Sequence, residues 1–170
     1  PNTTDAGRKR YRYGNQAQIG AWNFARLLEA IAPLMDEPEK LYQALESYYH
    51  AYEKHNNIMW ADKLGLAEFK PSDEKLIAEL VSLMQKVETD MTIFFRLLSS
   101  INKPDIEQLR FAFYDDETIP KDAWNDWLGK WWDRVDCKPM REKMRAVNPK
   151  YVLRNWMAQL AIDGAEKEDY

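Results

Sequence analysis

The chain has 170 residues, 45% of them hydrophobic and 31% charged, which is enough for one globular domain whose core needs no metal or disulfide staple. A net charge of −4 gives no global attraction for nucleic acid or an anionic membrane, and no apolar run approaches the ~18 residues of a bilayer span. The single cysteine, Cys137, excludes an internal disulfide and makes a reducing compartment, the cytoplasm, the simplest setting.

The opening Pro1-Asn2-Thr3-Thr4-Asp5 is polar, unlike a signal peptide, and carries no initiating methionine. With the abrupt end at Tyr170, this reads as a piece of a longer protein. Residues 1–17 show no helical period and hold a basic stretch laced with aromatics, Arg8-Lys9-Arg10-Tyr11-Arg12-Tyr13. They are expected to form an irregular lead-in. From Gln18 the spacing predicts helix, with Phe24, Leu27, Leu28, Ile31, Leu34 and Met35 on one stripe that Pro38 ends. Leu41, Ala44, Leu45, Tyr48 and Tyr52 make a second stripe, running on through Met59-Trp60 towards Leu66.

Pro71-Ser72-Asp73-Glu74 opens a third helix, with Ser72 as N-cap and two carboxylates in the first turn. Its inward stripe is Ile77, Leu80, Val81, Met84 and Val87. Asp90 is expected to cap a short helix carrying Met91, Phe94, Phe95 and Leu98, and Pro104-Asp105 starts another with Ile106, Leu109 and Phe113 inward. Pro120 fits the first turn of a helix whose stripe is Trp124, Trp127, Leu128, Trp131 and Val135, leaving Trp132 off the stripe, at a rim or against a missing partner. A short helix follows from Pro139 to Val147, Asn148-Pro149 breaks the chain, and the last helix carries Leu153, Trp156, Met157 and Leu160. With few glycines and no convincing strand, the class is all-α, of roughly eight helices.

No complete catalytic site is visible. His50 and His55 stand five apart, where a helical metal pair needs a spacing of three or four. Cys137 has no base at readable spacing, and no phosphate-binding glycine loop or nucleophile elbow occurs. The acidic clusters Asp115-Asp116-Glu117 and Glu166 to Asp169 fall at helix ends, where solvated caps are the ordinary reading. The tryptophans fit core packing better than base stacking. The basic lead-in stays open on composition alone: its arginines suit phosphate, yet a solvated terminus anchored by Tyr11 and Tyr13 fits equally.

Several segments resemble the selenoprotein O family, the protein adenylyltransferases of kinase-like fold. They are Gly14-Asn15-Gln16-Ala17-Gln18-Ile19-Gly20-Ala21-Trp22-Asn23-Phe24-Ala25-Arg26-Leu27, Lys63-Leu64-Gly65-Leu66, and Asp90-Met91-Thr92-Ile93-Phe94-Phe95-Arg96-Leu97. Met144 with Asn148-Pro149-Lys150-Tyr151-Val152-Leu153-Arg154-Asn155, and the closing Ala165 to Tyr170, complete a match in order over nearly the whole chain. The resemblance implies that residues 1–17 are an activation-segment-like lead-in and residues 18–170 the helical C-terminal lobe of a kinase-like fold. It implies a parent that moves AMP from ATP to hydroxyl side chains of protein substrates. ATP and magnesium would be held in a nucleotide lobe upstream, so this segment alone should be inactive. The family pattern also points to Arg10, Tyr11, Asn15 and Gln16 as part of the active-site floor or substrate surface. Lys9 replaces the usual glycine before Arg10-Tyr11, and Ala17 replaces a common proline. Pro1 stands where some bacterial members carry a cysteine proposed to pair with the C-terminal tail, so the resemblance does not extend to that pairing. Two other readings of the residues remain: a kinase transferring the γ-phosphoryl group, and a helical interaction module without catalysis.

Overall fold

All five residues of the Trp124–Val135 stripe are buried, and they organise the larger half of the molecule. The computed structural model describes Gly7, Arg10 and residues 12–115, 117–136 and 138–168. Pro1, Lys9, Tyr11, Asp116, Cys137, Asp169 and Tyr170, all singled out by the sequence, lie outside the described residues. Among those described there are seven α-helices and no sheet. They are α1 (Gln16–Ile31), α2 (Glu39–Leu64), α3 (Asp73–Lys86), α4 (Met91–Leu98), α5 (Lys121–Arg134), α6 (Arg141–Val147) and α7 (Asn155–Glu166). A 3-10 helix over Ile106–Ala112 makes an eighth helical element of some length. The chain divides into two compact units, Pro1–Asn57 and Ile58–Tyr170.

In the second unit the indoles of α5 form a ladder. Trp124 and Trp127 lie 6.3 Å apart, and Trp127 and Trp131 are 6.3 Å apart and nearly parallel. Phe94 of α4 packs on Trp124 at 5.3 Å. A buried indole N–H costs free energy unless it finds an acceptor, and two of the three do; that of Trp124 has none among the described residues. That of Trp127 donates to the Leu76 carbonyl at 2.8 Å, and that of Trp131 to the Leu64 carbonyl at 2.9 Å. Trp132 is half-buried against Trp131, at a rim, one of the two positions expected for it.

Opposite α5, the face of α3 is turned from the predicted one. Leu76, Leu80, Leu83 and Val87 are buried, while Ile77 and Met84 are half-buried and Val81 is exposed. Ser72 stands at the N-cap position but its side chain makes no capping bond. Asp73, the first residue of the helix, instead ties the preceding loop to α5, accepting the Lys70 N–H at 2.7 Å and pairing through both oxygens with the Arg134 guanidinium at 2.7 and 2.9 Å. Arg134 also donates to the Glu68 carbonyl. Asp90 caps α4 as expected, accepting the Ile93 N–H at 3.0 Å, but Met91 is exposed.

The C-terminus of α2 is closed by four hydrogen bonds. A helix leaves its last four carbonyls without intrahelical partners. Leu66 N–H donates to Ala61 and Gly65 N–H to Asp62, the two bonds of a Schellman closure. Asn148 Nδ2 then donates to Lys63 at 3.0 Å, and Trp131 caps Leu64. The closure needs Gly65 at φ +69, and a Cβ there would stand 2.6 Å from Met144 Sδ and 3.1 Å from the Met140 amide. Gly65→Ala is therefore expected to cost about 2–3 kcal/mol in denaturant unfolding. A loss below about 0.5 kcal/mol would show that this turn is not left-handed in solution.

The first unit pairs α1 with the early turns of α2. Helix begins at Gln16, two residues before the predicted start, after a 3-10 turn over Tyr13–Asn15. It ends at Ile31 rather than near Pro38, because Pro33 tightens residues Ala32–Leu34 into a 3-10 turn. Ala21 and Leu28 are buried, but Leu27, Leu34 and Met35 of the predicted stripe are exposed. Tyr48 crosses from α2 to donate its hydroxyl to the Ala17 carbonyl at 3.0 Å. Gly20 permits that approach, since a Cβ there would lie 2.5 Å from the Tyr48 oxygen.

Candidate functional site

Of the residues singled out by the family pattern, Asn15 and Gln16 lie at the start of α1 and Arg10 a few residues before it, all in the first unit. Arg10 is half-buried, with its guanidinium carbon 4.3 Å from the centre of the Trp22 ring; Arg26 lies 5.8 Å from the same ring. An indole face is the strongest aromatic seat for a cation, worth about 0.5–1 kcal/mol at a partly exposed position. Asn15 accepts a hydrogen bond from Arg12 Nε at 3.2 Å and donates its backbone N–H to the Arg12 carbonyl at 2.9 Å. Gln16 Nε2 reaches the same carbonyl at 3.5 Å. Asn15 and Gln16 thus both bind Arg12 at the start of the first helix, while Arg10 is seated on Trp22 of the same helix. The fourth residue, Tyr11, lies outside the described ones. Trp22 stood in the quoted signature without a role; its spacing of twelve from Arg10 is not a local pattern, so periodicity could not pair them.

A second convergence lies in the second unit, around the end of α2. Asn148 is buried and every polar group it has is engaged. Its Oδ1 accepts from Lys63 Nζ at 2.9 Å, its Nδ2 donates to the Lys63 carbonyl, its N–H bonds Met144, and its carbonyl accepts from Arg96. Lys63 Nζ also sits 4.3 Å over the Phe95 ring, and burial lowers the Lys63 pKa below its usual value. The charged form is therefore a cost to the fold below that lowered pKa, and the cost fades as pH rises towards the ordinary lysine range. Arg154 binds Asp90 at 2.7 Å, tying the cap of α4 to the segment after Asn148. The three segments Lys63–Leu66, Asp90–Leu97 and Asn148–Asn155 thus meet. Their chemistry is that of a brace: cations and amides satisfy buried carbonyls, and none is paired as nucleophile and base.

Nothing among the described residues makes a metal seat, since no three His, Cys, Asp or Glu side chains come together. His50 and His55 are both exposed on α2. A groove of about 430 Å³ between α3 and α5 carries Lys75, Glu79, Lys86, Asp126 and Lys130. Lys130 is held there by Asp126 and Glu79, whose hydrogen bonds raise its pKa. No described helix is long and apolar enough to cross a membrane.

The sequence model of one family, described as protein adenylyltransferase SelO, matches residues 1–170. The chain belongs to that family. Similar SelO-family proteins carry the name protein nucleotidyltransferase YdiU. That of Flavobacterium johnsoniae is 46% identical over 183 residues, covering 100% of this chain and 35% of the relative. Those of Aromatoleum aromaticum and Xanthomonas axonopodis are 42% and 43% identical, covering 100% and 99% of this chain and 34% of each relative. The chain thus spans about a third of the length of these SelO-family relatives. The segments that meet around Asn148 are three of those on which the resemblance to this family rested, so in this chain those three mark a structural brace.

Proposed function

We propose that the full-length protein containing this chain is a protein adenylyltransferase. The family match over all 170 residues carries this reading, and the relatives' name, protein nucleotidyltransferase, supports a transferase. A hydroxyl oxygen of a target protein attacks the α-phosphorus of ATP; the new P–O bond forms as the bond to pyrophosphate breaks and the hydroxyl proton is lost. Magnesium in such a reaction neutralises charge on the phosphates. As the family resemblance implies, its ligands and the nucleotide lobe belong in this reading to the remainder of the protein, which acts in the cytoplasm. Residues 18–170 then serve as the helical lobe of a kinase-like fold, and residues 1–17 as an activation-segment-like lead-in.

Within that reading, Arg10, Tyr11, Asn15 and Gln16 form part of the active-site floor or of the surface that meets the protein substrate. The seating of Arg10 on Trp22 and of Asn15 on Arg12 favours an ordered floor over a solvated terminus. Arg10→Ala and Asn15→Ala in the full-length protein are expected to lower transfer about tenfold to a hundredfold with little change in unfolding midpoint. Unchanged activity in both would remove these residues from the site.

The reaction itself is tested with the full-length protein, magnesium, and ATP labelled at the α or the γ phosphate. Label on protein from the α position alone is the expected result. Label from the γ position alone would make the parent a kinase, and none from either would favour a helical interaction module.

A further inference from the structure

α7 is a helix of twelve residues without a buried residue, lacking a side-chain N-cap, an acidic residue in its first turn or a basic one in its last. A helix of that length is marginal in water unless an apolar face is covered. α7 has such a face: Trp156, Met157 and Leu160 are 63, 42 and 62% exposed, and Leu153 just before the helix is 75% exposed. Its N-terminal end is nevertheless anchored. Asn148 is locked to Lys63, and Arg154, at the N-cap position of α7, is bound to Asp90. The core therefore presents a short, uncharged stripe outward at a defined position.

We infer that the α7 face is an intramolecular docking surface, covered by apolar residues of the full-length protein that lie outside these 170. This rests on reading the chain as part of a longer transferase. Relatives matched over the whole chain have about two thirds of their length beyond the match. A covalently attached occupant arrives at high effective concentration and bears little of the entropic cost of association. A second copy lacks that advantage: four large side chains fall well short of the ~800 Å² per partner that a stable interface buries. The stripe carries no charge, so the occupant is expected to be apolar.

The test is site-resolved thiol labelling of the native full-length protein with Trp156→Cys, Leu160→Cys and, at the end of the helix and about 120° round from Leu160, Glu166→Cys. Peptide mapping separates these sites from Cys137. Labelling at 156 and 160 is expected to be about a hundredfold slower than at 166, at every protein concentration. Equal rates would overturn the inference, as would protection that fades on dilution, which is the signature of a second copy. Should the cysteine variants misfold, amide exchange of unmodified α7 decides: protection of residues 157–162 supports a covered helix, and free exchange refutes it. None of these readouts uses nucleotide or activity, so failure of the docking surface and failure of adenylyl transfer are separable.

Discussion

Replacing Trp131 with alanine is expected to destabilise the fold by about 4–5 kcal/mol, a large share of a domain's ~5–15 kcal/mol. Two losses combine. The indole is fully buried between Trp127 and Trp132, so truncation opens a cavity that the rigid neighbouring rings cannot fill. Its N–H also caps the Leu64 carbonyl, the last of α2, and removal leaves that oxygen buried without a donor. Trp131→Phe keeps much of the volume but not the donor, and should restore about half of the loss. Denaturant unfolding of the three proteins measures both parts. A Trp131→Ala loss below about 1.5 kcal/mol would mean that α5 does not pack on the end of α2.

Arg134→Ala should follow at about 3 kcal/mol. Asp73 is almost wholly buried, and without Arg134 its carboxylate would keep only the Lys70 N–H. Lysine is a poor substitute, because a point charge cannot reproduce two parallel bonds to the carboxylate and a third to the Glu68 carbonyl. Asp73→Ala with Arg134→Ala should be less harmful than Arg134→Ala alone, since the isolated charge is then gone. If the double variant were the worse of the two, the pair would be contributing net attraction rather than cancelling its own desolvation.

What the sequence revealed depends on how narrow each apolar arc is. On α5 the stripe is narrow and bounded by charge, so its buried face was legible residue by residue. On α3, Leu76, Ile77, Leu80, Val81, Leu83 and Met84 span a broad arc; packing against the α5 indoles, not local pattern, selects Leu76 and Leu83. Ser72 and Asp73 are both good residues for a helix start. Ser72 holds the N-cap position, and the pairing of Asp73 with Arg134, 61 positions away, is not a local pattern. The last helix was visible as a helix, but its stripe proved exposed, since periodicity reports that a face is apolar and not what covers it. At the candidate site the basic lead-in was visible as composition, whereas its anchor on Trp22 was not. The brace around Asn148 was hidden for the same reason, as it spans 85 residues of chain.

The indole ladder of α5 also makes this protein optically legible. Five of the seven tryptophans fall into two environments: Trp22 and Trp156 face solvent, while Trp124, Trp127 and Trp131 pack together in an apolar core, with Trp60 and Trp132 half-buried at its edge. Close, ordered indoles couple their transitions, so the near-ultraviolet dichroism belongs mostly to the second unit and vanishes when its packing loosens. Emission carries a blue component from the core and a red one from the surface. Selective excitation at the red edge therefore reads Trp22 and Trp156 in the folded state, and any shift of that emission on joining the remainder of the protein reports their burial directly.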